Sequence, residues 1–191
     1  MIKEVRNTNV EIRELNPESR EVTGYALVFN SYSNDLGGFI ETIEPRALDG
    51  VIEVSDVLCL LNHNEDKGVL ARSKQGTGSL TLEVDETGLK YSFEAPKTAL
   101  GDELLEGLRR GDISASSFAF TVKEDTWSKN DDGSYIRTIN KIEQLFDVSP
   151  VYNPAYNATS VKADTRGLDE MKKKEKEELN LYYKQLRNSL K

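Results

Sequence analysis

Residues 111–120 read GDISASSFAF, and the alternation continues through Thr121 and Val122. Phe118, Phe120 and Val122 recur at period two, so a strand places them on one face and Ser117, Ala119 and Thr121 on the other. If the phenylalanines fill a core, Ser117 points out of it, and its small neighbours Ala115 and Ala119 leave room above the hydroxyl for a second chain. A serine on the solvent face of a strand also needs no role, so this stretch settles a strand and leaves the serine's purpose open.

Upstream of that strand, Thr98 is a cap for a helix carrying Leu100, Leu104, Leu105 and Leu108 at helical spacing, and Gly111 closes it. Residues 79–84 (SLTLEV) and 89–93 (LKYSF) alternate around Asp85-Glu86-Thr87-Gly88, the signature of a hairpin. Residues 57–61 (VLCLL) are apolar on both faces and read as a short buried strand that ends at Asn62-His63-Asn64. Nearer the start, residues 10–15 and 21–29 read as two strands joined by a turn at Asn16-Pro17. Residues 30–38 form a polar, glycine-containing loop, and residues 41–48 start a short helix at Pro45.

Downstream, residues 116–123 and 135–148 are strands around a turn at Asn130-Asp131-Asp132-Gly133. Residues 149–156 (SPVYNPAY), with two prolines, predict an irregular loop, followed by a last strand near Ser160-Val161. The fold class is mainly β with helices (α+β), with one domain over residues 1–163 and a charged tail over residues 164–191. Residues 169–191 are rich in helix formers, with Leu179, Tyr182, Tyr183, Leu186 and Leu190 forming an apolar side, so the tail is an exposed or partner-binding helix or a disordered extension.

Charged residues make up 30% of the chain and the net charge is −8, a balance that argues against nucleic acid as a main partner. No apolar run approaches the roughly 20 residues of a membrane helix, and the first residues lack the apolar core of a signal peptide, so a cytoplasmic site of synthesis is expected. With Cys59 the only cysteine and His63 the only histidine, an internal disulfide, a paired-cysteine metal site and a multi-histidine zinc site are all excluded, and no cofactor is expected.

Hydrolysis by a serine nucleophile needs a base in hydrogen-bond reach, usually an imidazole held in one tautomer by a third group. Here that base is His63 or nothing. It lies where an apolar strand runs into polar residues, which suits an anchored and reachable base and equally an ordinary surface histidine. Cys59 precedes it by four residues, but about 3.3 Å per residue separates them by roughly 13 Å in an extended strand, so Cys59 reads as core. For the third member, Asp147 lies opposite Phe146 and Val148 as Ser117 lies opposite Phe118 and Phe120. Two neighbouring strands would thus present both on one outer surface with His63 between them, and a solvent-facing acid is the alternative.

Taken in order, GYALVFN (residues 24–30), FIETIEPRAL (39–48), LLNHNEDKGVLAR (60–72), the helix before GDISASSFAF, and LFDVSPVYNPAYNAT (145–159) resemble the prohead maturation proteases of tailed bacteriophages. These are serine proteases related in fold to the herpesvirus capsid protease, assemblin. The likeness spans about residues 20–162 and leaves the tail uncovered. It implies an assemblin-like closed β-barrel flanked by a few helices, with serine and histidine in a shallow groove on the outer wall. His63 falls in the asparagine-histidine motif, and Ser117, rather than Ser114 or Ser116, precedes the aromatic-small-aromatic triplet. Asp147 stands where the family usually has glutamate, and Ala119 where it usually has glycine.

The resemblance also implies a function: a serine endopeptidase that cleaves scaffold or a scaffold segment of the major capsid protein, and itself, inside the prohead in the host cytoplasm. Ser117, His63 and Asp147 carry the chemistry, with an oxyanion donor sought in residues 151–155. Activity is expected to stay weak until the shell concentrates the enzyme and a dimer or higher oligomer forms. Neither nucleic acid nor membrane is a partner. Two rival readings predict a catalytically silent capsid-assembly protein on the same fold, or a ligand-binding barrel with an internal cavity.

Overall fold

A computed structural model describes residues 2–8, 12–14, 19–152 and 164–189. In chain order the strands are β1 (Glu4–Thr8), β2 (Arg13–Glu14), β3 (Glu21–Val28), β4 (Phe39–Ile43), β5 (Asp56–Cys59) and β6 (Ala71–Lys74). They continue as β7 (Thr77–Gly78), β8 (Leu80–Val84), β9 (Gly88–Glu94), β10 (Ala115–Lys129) and β11 (Tyr135–Val151). The two α-helices are α1 (Ala99–Arg110) and α2 (Arg166–Ser189).

Backbone ladders join these strands into two sheets, in the orders β1-β10-β11-β5-β6-β7, with β4 also on β11, and β2-β3-β9-β8. The single closed ring that the resemblance implies is not drawn by continuous ladders among the described residues; the two sheets meet through side chains. Gly24 of β3 permits that close approach, because a Cβ there would lie 2.9 Å from Tyr91 Oη and 3.2 Å from Ser116 Oγ. Phe118, Phe120, Leu145 and Val148 join Val22, Leu27, Leu89 and Tyr91 of the smaller sheet in one core.

The helix after Thr98 forms as expected. Thr98 Oγ1 accepts from the Gly101 amide at 3.3 Å, and Gly111 caps the far end at φ 77°, a conformation glycine adopts without a Cβ clash. Leu104 and Leu105 are buried, and the chain leaves Gly111 directly into β10. β10 and β11 both run beyond their expected ends, to Lys129 and Val151, so residues 149–151 are strand rather than loop. The expected strand at Ser160-Val161 and half of that over residues 10–15 lie outside the described residues, while Arg13–Glu14 are strand.

β11 organises the larger sheet. Its first part runs parallel to β4, from Tyr135 opposite Phe39 to Ile139 opposite Ile43, and its last part runs parallel to β5, with Asp147 opposite Leu58. Between them a bulge leaves Leu145 opposite Phe120 and Asp147 opposite Ala119, with Phe146 unpaired. Strict alternation put Leu145 on the Asp147 side; the extra residue turns Leu145 into the core instead.

β1 was not expected, and its inward face explains why. Glu4 and Arg6 point into the protein, at 1% and 5% exposure, where hydropathy patterns look for apolar residues. Arg6 Nε donates to Glu41 Oε1 at 2.7 Å and its Nη2 to Glu4 Oε2 at 2.6 Å. Arg137 Nη1 donates to Glu4 Oε2 at 2.7 Å and Glu41 Oε2 at 3.0 Å, and its Nε to Asp125 at 2.6 Å. This buried cluster ties β1, β4, β10 and β11 together. Residues 41–43 belong to β4, and the short helix begins at Pro45 as expected.

α2 docks by its first half on the β10–β11 hairpin. Gly167 lies so close to Trp127 that a Cβ would sit 2.2 Å from the indole Nε1, Leu168 is buried, and Glu175 accepts from Lys129 at 2.7 Å and Tyr135 at 2.9 Å. Beyond Glu175, Leu179, Leu181, Tyr182, Tyr183 and Leu186 are exposed.

Candidate active site

His63 is presented by a strained turn. After β5, Leu60 and Leu61 are buried, and Asn62 and His63 then both adopt left-handed backbone at φ 55° and 57°. Such geometry costs roughly 1 kcal/mol or more per non-glycine residue and persists where the surroundings hold it. Here the Asn62 amide donates to the Pro150 carbonyl at 2.9 Å, tying the turn to the end of β11. The imidazole is thereby laid across the two strands that carry Ser117 and Asp147.

Ser117, His63 and Asp147 meet. His63 Nε2 is 2.5 Å from Ser117 Oγ, and His63 Nδ1 is 2.5 Å from Asp147 Oδ1. Cross-strand pairing sets the spacing, because Ala119 faces Asp147 and Ser117 faces Ser149 across β10 and β11. Ser116 lies on the core side, where its Oγ is 2.8 Å from Tyr91 Oη.

The surroundings differ from those expected. Ser117 is 0% and Asp147 2% exposed, so neither is a solvent-facing residue in an open groove; His63, with its side chain 25% exposed, is the member that reaches water. One part of the cover is β1, whose Asn7 pairs with Ser117 and whose Arg6 carbonyl accepts from Ser117 Oγ at 2.9 Å. The single hydroxyl hydrogen thus has two acceptors. With His63 neutral and its hydrogen on Nδ1, Ser117 donates to Nε2; with the ring doubly protonated, Nε2 donates to Oγ and the hydroxyl turns to Arg6.

Asp147 is held as an anion. Burial pushes its carboxyl up, but the hydrogen bond and charge of His63, the Ser149 hydroxyl and the Lys3 ammonium outweigh that and keep it below the ordinary carboxylate value. Ser149 Oγ donates to Asp147 Oδ1 at 2.8 Å, and Lys3 Nζ is 3.5 Å from Oδ2. Cys59 is fully buried, and burial, then the nearby Asp147 charge, drives its thiol well up, so it is no nucleophile. Of residues 151–155, Val151 ends β11 and residues 153–155 lie outside the described residues.

Hydropathy and strand alternation do not point to the Arg6 carbonyl, Ser149 or Lys3. Ser149 left one signal, since it is two residues from Asp147 and shares its face if the strand continues. Arg6 and Lys3 left none, because their place depends on a strand whose inward side is ionic.

A mainly β protein in which an imidazole bridges a buried serine hydroxyl and a buried carboxylate has the arrangement that serine hydrolases use. Residues 7–174 match the family described as Caudovirus prohead serine protease, and the chain belongs to that family. Among solved structures it is similar to the bacteriophage T4 capsid assembly protease gp21, at 12% identity and a TM-score of 0.49, over 79% of this chain and 98% of that one. No curated protein matches the chain.

Proposed function

We propose that the protein is an active serine endopeptidase of capsid maturation in which Ser117 is the nucleophile, His63 the general base and Asp147 the group that orients the imidazole. The single observation that carries this reading is the His63 ring, 2.5 Å from Ser117 Oγ on one side and 2.5 Å from Asp147 Oδ1 on the other. His63 accepts the hydroxyl proton as Ser117 attacks the scissile carbonyl, and Asp147 stabilises the imidazolium. The ring then protonates the leaving amine, and water releases the acyl-enzyme with His63 again as base.

The substrates are a scaffold protein or the scaffold segment of the major capsid protein, and the chain itself, within the prohead. The sealed hydroxyl supports a latent resting state, because a peptide carbonyl reaches Ser117 only after the covering segments shift. Crowding inside the shell supplies that change through contacts between copies or with substrate. Co-expression with the capsid protein tests this: wild type processes the scaffold segment, and unchanged processing by Ser117→Ala or His63→Ala ends the reading. A fluorophosphonate separates it from a silent assembly protein on the same fold, which would leave Ser117 unlabelled in assembled shells.

A further inference from the structure

We propose that Ser149 and Lys3 are positioning residues for Asp147, each holding one side of its carboxylate so that Oδ1 stays on His63. The inference rests on the protease reading for its kinetic consequence, while its geometric content stands on contacts around Asp147 alone. A carboxylate on a short aspartate arm rotates about its last bond unless both oxygens are engaged. Oδ1 receives His63 Nδ1 at 2.5 Å and Ser149 Oγ at 2.8 Å, and Oδ2 faces Lys3 Nζ at 3.5 Å.

Ser149 is built for this task. It is 0% exposed, lies on the Asp147 face of β11, and spends its one hydroxyl hydrogen on Oδ1. With Ser149 opposite Ser117 and Asp147 opposite Ala119, the contact and the His63 bridge belong to one patch of paired backbone. Lys3 comes from the other direction. Its ammonium sits 5.0 Å from the Phe146 ring centre, and that ring is available because the bulge leaves Phe146 unpaired. Glu4 and Arg6, locked in the buried cluster, fix the backbone from which Lys3 reaches. The first residues of the chain and the bulge of β11 therefore act on the imidazole through Asp147.

The test uses the full chain with three variants, Ser149→Ala, Ser149→Thr and Lys3→Met, and two readouts. One is the rate of Ser117 labelling by a fluorophosphonate in assembled proheads, where the covering segments have shifted; the other is the far-downfield proton resonance of the His63 Nδ1–H···Asp147 bond in the free chain. Ser149→Ala is expected to slow labelling about tenfold and to move or broaden the resonance, and Ser149→Thr to restore both. Wild-type labelling is expected to depend on salt, because the Lys3 contact is half-exposed and screened, and Lys3→Met to slow labelling about threefold and abolish that dependence. If Ser149→Ala lowers only the melting temperature and leaves rate and resonance as in wild type, the proposal is overturned. Should Ser149→Ala fail to fold, unchanged labelling and salt dependence in Lys3→Met overturns it. Absence of labelling in wild-type proheads sinks the protease reading instead, and the resonance still decides the positioning.

Discussion

Replacing Asp147 by asparagine changes one carboxylate oxygen to an amide and almost nothing else in volume, so its effect can be worked from the contacts. Oδ1 accepts from both His63 and Ser149, and Oδ2 faces the Lys3 ammonium. If the amide oxygen stays toward His63, the NH2 group is turned on Lys3, donor against cation. If the amide flips, its NH2 meets Nδ1, which must become the acceptor, and the ring hydrogen moves to Nε2, facing Ser117. A base in that tautomer cannot take the hydroxyl proton. By analogy with the same change in chymotrypsin-like enzymes, the rate should fall roughly a thousand- to ten-thousand-fold, about 4–5.5 kcal/mol of transition-state stabilisation. The assay is the rate of fluorophosphonate acylation beside scaffold processing in co-expressed proheads, with a thermal melt to show that the fold is retained. A variant within tenfold of wild type would refute the role given to Asp147.

Arg137→Met leaves the buried Glu4 and Glu41 to share Arg6 alone, two carboxylates on one cation, and should destabilise the protein by about 3–5 kcal/mol, read from urea unfolding; a loss under 1 kcal/mol would mean that the cluster is replaceable. Gly167→Ala should weaken docking of α2, because its methyl meets Trp127, even though alanine favours a helix by about 1 kcal/mol. Faster proteolysis within residues 166–189 and a changed tryptophan emission are the readouts, and an unaltered digest speaks against the contact. The folded Asp147 carboxyl lies below its ordinary value of 3.8, so its contribution is present above that pH and is lost as pH falls through the depressed folded value. Stability measured between about pH 5 and 2 should therefore fall less steeply in Asp147→Asn than in wild type, and identical slopes would contradict the assignment.

Elements written in apolar residues were legible before any coordinates. The Phe118–Phe120 alternation located β10, the leucines of α1 with Thr98 and Gly111 gave its two ends, and the run 57–61 marked β5. The three residues that meet at His63 were singled out for a different reason: a chain with one histidine offers one imidazole, the strand faces offered Ser117 and Asp147 beside blander alternatives, and the resemblance to the prohead proteases chose among them. What escaped was ionic or irregular. β1 hides behind inward-facing Glu4 and Arg6, and β4 carries Glu41 inward in the same way. The burial of Ser117 depends on β1 and so was lost with it. The bulge at Phe146 has no signature in an unaligned sequence, since either register of residues 145–148 offers apolar side chains to a core.

The cluster of Glu4, Arg6, Glu41 and Arg137 sets a rule for how this chain can vary. Reversing or deleting any one charge leaves the other three buried and out of balance, so relatives should change these four positions in concert, as a set spread from the first strand to the eleventh. Because the carbonyl that accepts from Ser117 Oγ belongs to Arg6, a lineage that dismantles the set also loosens the strand laid over that hydroxyl. The stability of the fold and the burial of Ser117 are thus inherited together.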